Sequence, residues 1–126
     1  MRVGIEEAKE YFAHPSQLRG SMIDSPDDLP VDGVEYWANG PICGIFHRAP
    51  WPDVWMVHYA VKPDAWGLLV EPARIVLRAF SEHHLPARIV GWTKAENRAA
   101  VAFARRVGFV EDGRMSLPDG EVIMTG

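Results

Sequence analysis

The chain has 126 residues, a formal net charge of −4 and one cysteine. That length predicts a single domain, residues 1–126, large enough to bury its own core. Cys43 alone excludes an intramolecular disulfide framework and any multi-cysteine metal site, and the mild acidity argues against a nucleic-acid partner. No apolar run approaches the ~18 residues needed to cross a bilayer, so no membrane partner is expected. Acidic residues stand where a secretion signal would be apolar, which predicts a reducing cytoplasmic setting. The charge is uneven: residues 1–64 carry five bases against ten acids, whereas residues 65–110 carry seven bases against three acids. A solvated helix face accounts for such an excess, and so does a site for a small anion.

Residues 5–13 predict a short helix, with Ile5, Ala8 and Phe12 on one face and His14-Pro15 ending it. Residues 15–33 are rich in Pro, Ser, Asp and Gly and predict mostly loop with one short helix. Val34 to Ala38 is β-prone, Asn39-Gly40 signals a hairpin, and Ile42 to His47 supplies the partner strand. After a turn at Pro50 to Asp53, Val54 to Val61 predicts a long third strand. The period then changes to that of a helix. Ala73, Val76, Leu77 and Phe80 form one stripe, in a helix expected to start at Pro72 and end near His83-His84. Arg88 to Trp92 predicts a short buried strand, parallel to the previous one through a βαβ crossover. Ala100, Phe103, Ala104 and Val107 predict a further helix, with a capping-box pattern at Thr93 to Glu96 before it and Gly108 ending it. Val110 to Leu117 and Glu121 to Met124 predict a closing hairpin around Pro118-Asp119-Gly120. The expected fold is α+β (mixed α/β): a central, mostly antiparallel sheet with one parallel βαβ joint and helices on both faces.

This order, and the residues at its joints, resemble the GCN5-related N-acetyltransferase (GNAT) superfamily over residues 33–113. Three landmarks carry the resemblance. Val61-Lys62-Pro63-Asp64-Ala65-Trp66-Gly67 is similar to the family's strand-to-helix joint V-x-P-x-x-[RQ]-x-x-G-x-[GA]. Asn97-Arg98-Ala99-Ala100 matches the N-x-x-A that opens a later helix, and Gly108-Phe109 matches the G-F that ends it. Trp55 to Tyr59, with His14-Pro15, is also similar to small GNAT-like proteins encoded by phages.

The resemblance implies an acetyl-CoA-dependent N-acetyltransferase, with direct attack by an amine and no metal. It places the coenzyme on Val61, on the loop Trp66-Gly67-Leu68-Leu69-Val70, and on Asn97 and Arg98. Loop N–H groups and a helix N-terminus would hold the pyrophosphate, and a backbone N–H on the long strand would polarise the thioester carbonyl. The acceptor would be a small-molecule or peptide amine, and a homodimer is a further expectation. The match has departures. Trp66 stands where the family prefers Arg or Gln, Leu69 and Glu71 stand where it has glycine or alanine, and Ala104 stands at its frequent tyrosine. These support the alternative of a catalytically degenerate GNAT-fold binding or assembly protein.

Candidate catalytic residues are His58, Tyr59 and Glu35. A histidine near the thioester has a suitable pKa for a general base, and the other two are lesser acid or base candidates. Each has a structural alternative: His58 as a partly buried core residue, Asn97 as a helix cap, and Arg98, Arg105 and Arg106 as a solvated face. His83 and His84 are expected to point apart and hold no metal, and Cys43 is expected to be a small buried hydrophobe.

Overall fold

The computed structural model describes residues 1–20, 23–62, 69–118 and 120–126. In chain order the elements are β1 (Arg2–Val3), α1 (Ile5–Lys9) running into a 3-10 turn at Glu10–Phe12, and α2 (Pro15–Gly20). A second 3-10 turn (Pro26–Asp28) leads to β2 (Val34–Asn39), β3 (Ile42–Arg48) and β4 (Val54–Val61). Then follow α3 (Val70–His84), β5 (Arg88–Lys94), α4 (Arg98–Val107), β6 (Glu111–Leu117) and β7 (Gly120–Thr125). Among the described residues these strands form one sheet in the order β1-β2-β3-β4-β5-β7-β6. Every adjacent pair is antiparallel except β4 and β5, as the βαβ crossover requires.

Alternation along the strands builds two cores, one on each face. On the first face Tyr36, Ala38, Cys43, Ile45 and Ala60 meet Ala8, Tyr11 and Phe12 of the N-terminal helical segment. On the second, Trp37, Ile42, Phe46, Trp55 and Val57 meet the predicted stripe of α3, Ala73, Val76 and Phe80, together with Val107 of α4. Phe80 is fully buried, stacks on Phe46 with ring centroids 3.9 Å apart, and meets Trp37 and Trp55 edge-on. Helices therefore lie on both faces. Among the described residues no helix is long and apolar enough to cross a membrane.

The hairpin between β2 and β3 turns at Gly40, whose φ of 54° is the left-handed geometry that an Asn-Gly turn supplies without strain. Gly108 ends α4 at φ 122°. Two sequence expectations are corrected. Helix α3 starts at Val70 rather than Pro72, so the proline sits inside the first turn, where its missing N–H costs nothing. The pattern Thr93 to Glu96 caps no helix: Thr93 and Lys94 continue β5, opposite Ile123 and Val122, and Asn97 caps α4 instead. The described part of segment 15–33 holds the one short helix expected there, α2, directly after His14, and a 3-10 turn.

Candidate functional site

The parallel ladder between β4 and β5 is short. It joins Val54, Trp55 and Met56 to Arg88, Ile89 and Val90, and then stops. Beyond it β5 turns to β7 through Gly91 to Lys94, while β4 stays paired to β3 along its whole length, up to Val61 opposite Ile42. Among the described residues the β5-facing edge of β4 therefore has no strand neighbour beyond Val57. Peptide groups alternate between the two edges of a strand. The Lys62 N–H donates to the Pro41 oxygen at 2.9 Å on the β3 side, so Val61 and Tyr59 present theirs on the β5 side. In agreement, the carbonyl oxygen of Val57 lies 3.7 Å from where a Cβ would stand on Gly91.

His58 and Tyr59 flank this opening from opposite faces. Tyr59 lies under the first turn of α3 and against α4. Its hydroxyl donates to the Ala73 oxygen across 3.4 Å, and its ring meets Phe103 edge-on at 5.8 Å. Burial pushes its phenol far above the ordinary range, so it stays protonated and can donate. His58 is cross-strand from Ile45, on the face of the N-terminal helical segment. Burial, with a smaller push from His47, lowers its pKa, so it is neutral at pH 7 and can accept a proton.

Glu35 is not brought to this place. It stands on β2, cross-strand from Phe46, with β3 between it and β4. Its Oε1 accepts from Trp37 Nε1 at 3.0 Å, lies 2.8 Å from His84 Nε2 and 3.8 Å from Arg2. Burial alone would raise its carboxyl, but the His84 and Trp37 hydrogen bonds and the charges of His84 and Arg2 hold it below the usual range. Nothing in the spacing of residues pointed to His84 as a partner. His83 and His84 do not point apart as expected; their rings are 4.7 Å from each other and both lie against Trp37. Among the described residues no group of three or more His, Cys, Asp or Glu could hold a metal ion. Cys43 is fully buried, and burial pushes its thiol up to about 12, which leaves it a protonated core residue.

The expected coenzyme contacts divide in three. Trp66, Gly67 and Leu68 lie outside the described residues. Leu69 is the residue before α3 and makes no side-chain cap hydrogen bond to the helix start at Val70; Glu71 is exposed in that first turn, where the helix dipole favours an acid. Asn97 Oδ1 accepts from the Ala100 N–H at 3.1 Å and is a helix cap, and Arg98 is exposed beside it. Val61 carries a contact that sequence reasoning missed: its N–H donates to Gln17 Oε1 at 3.0 Å, from a residue 44 positions earlier.

No protein-family model and no curated protein matches the chain. Solved structures do. An acetyltransferase of the GNAT family from Bacillus anthracis superposes with a TM-score of 0.71 at 13% identity, over 96% of this chain and 86% of that one. A ribosomal-protein-S5-alanine acetyltransferase from Vibrio fischeri gives 0.71 at 11% identity, over 99% and 89%. An aminoglycoside acetyltransferase in complex with coenzyme A and kanamycin gives 0.71 at 15% identity, over 96% and 87%. The chain shares the fold of these structures, a mixed seven-stranded sheet with β4 and β5 parallel.

Proposed function

We propose that the chain is an acetyl-CoA-dependent N-acetyltransferase that transfers an acetyl group to a small-molecule or peptide amine. The observation that carries this reading is the edge of β4 beyond Val57, which has no paired strand among the described residues where the parallel ladder stops. An extended amide-bearing chain, such as the pantetheine arm of coenzyme A, satisfies such an edge as a neighbouring strand would. The start of α3 at Val70, which Leu69 does not cap, supports a place for the pyrophosphate. That solved structures of this fold include one holding coenzyme A and kanamycin supports the substrate class.

In this reading a β4 backbone N–H on the open edge, that of Tyr59, polarises the thioester carbonyl. The amine arrives from the face of His58, which takes its proton. Nitrogen attacks the carbonyl carbon, the C–S bond breaks, and the Tyr59 hydroxyl protonates the leaving thiolate from the other face. Tyr59 would thus supply the acid that Ala104 cannot. Because burial lowers the pKa of His58, the base stays neutral below the ordinary histidine value of about 6.5. The rate should hold there and fall only at lower pH.

Calorimetric titration with acetyl-CoA, followed by thiol release against a panel of amines, tests the reading. Tyr59→Phe removes the hydroxyl alone and is expected to lower kcat about 100-fold, with coenzyme affinity unchanged. Undiminished turnover in that variant would assign the acid elsewhere. A second reading, a binding protein without catalysis, is favoured by Ala104 on α4 and Glu71 in the first turn of α3. Coenzyme binding with no thiol release on any amine would decide for it.

A further inference from the structure

The open edge of β4 carries an occupant from the chain itself. Where β5 has diverged, the Val61 N–H would lack an acceptor, and Gln17 Oε1 supplies one at 3.0 Å. The Gln17 side chain does not hang free. Its Nε2 donates to Ser16 Oγ at 3.3 Å, and Ser16 Oγ lies 2.8 Å from His14 Nδ1. Ser16, itself held by His14, thus holds this amide, and the amide closes the edge of β4 at Val61 as a bound chain's carbonyl would. We propose that Gln17 is a displaceable plug: a ligand that pairs with β4 as far as Val61 must first break this contact, which couples coenzyme entry to release of α2. The inference rests on the coenzyme reading above, since that reading puts an amide-bearing chain on the same edge.

A net hydrogen bond contributes a factor of roughly two to ten to an equilibrium. Gln17→Leu keeps the bulk and removes the amide, so its affinity for coenzyme A in a calorimetric titration should rise by roughly two- to tenfold. Gln17→Glu keeps an acceptor on Val61 and adds a negative charge, so its affinity should fall. A measurement on the unaltered protein needs no variant: the side-chain amide resonances of Gln17 should shift when coenzyme A is added, while the Val61 amide stays protected from exchange throughout. Coenzyme binding with equal affinity in the Gln17→Leu variant, or with Gln17 resonances unmoved, overturns the plug and leaves the coenzyme reading intact. An absence of coenzyme binding in the unaltered protein and in Gln17→Leu overturns both.

Discussion

The sheet has two halves of different character, joined at the three-pair ladder between β4 and β5. In the β1–β4 half both faces are covered, and Ile42, Cys43, Phe46 and Ala60 are fully buried. The β5-β7-β6 half has α4 on one face, and its other face exposes Trp92 at 48%, Met115 at 36% and Leu117 at 37%. Charge divides as well, with an excess of acids before β5 and a near balance from β5 onward. Cohesion resides in the first half, and the groups that a ligand could use gather where the halves meet. A rigid frame beside an incomplete seam suits a site that must hold fixed geometry yet admit an extended molecule.

Substitutions can test that division. Phe80→Ala, which empties the space between Phe46, Trp37 and Trp55, should cost about 3–5 kcal/mol by chemical denaturation. A loss below about 1 kcal/mol would break the assignment of stability to the first half. Glu35→Gln should cost roughly 1 kcal/mol at neutral pH, because the partners of a partly exposed carboxylate are kept only in weaker form. The carboxyl of Glu35 has a folded-state pKa below its unfolded value. Its stabilisation is therefore full above the unfolded value and is lost as pH falls through the folded one. The difference between the two proteins should shrink through the acidic range, and a pH-independent gap would show that shape rather than charge matters there. Leu117→Ser, on the exposed outer strand, should change stability by less than about 0.5 kcal/mol. A larger loss would sharpen the comparison differently, by showing that the outer half is anchored more firmly than its exposure implies.

Periodicity made the second core legible: Ala73, Val76 and Phe80 were one stripe in the sequence and are one buried row in the structure. Asn39-Gly40 and Gly108 were legible because their geometry is local. What escaped depends on distant partners. β1 is two residues long and has no period to read; it exists through pairing with Tyr36 and Trp37. Thr93 to Glu96 satisfied a local capping rule, but the ladder to β7 took Thr93 and Lys94 first. The site was half legible. Adjacent His58 and Tyr59 on a strand must face opposite ways, whereas Glu35 gained its partner from a helix 49 residues later and Val61 from one 44 residues earlier. No spacing rule reaches that far.

The ends of the sheet give the seam a further meaning. A sheet with free outer borders invites other chains to add on, and this one guards both. One border is the two-residue β1. The other, β6, carries Arg114 bound to Glu111 at 2.7 Å and to Glu121 at 2.8 Å, a charged clasp on the outermost strand. The edge without a strand neighbour lies inward instead, where β4 runs on beyond its ladder with β5. In the coenzyme reading, strand complementation is left to a molecule slender enough to thread between two strands.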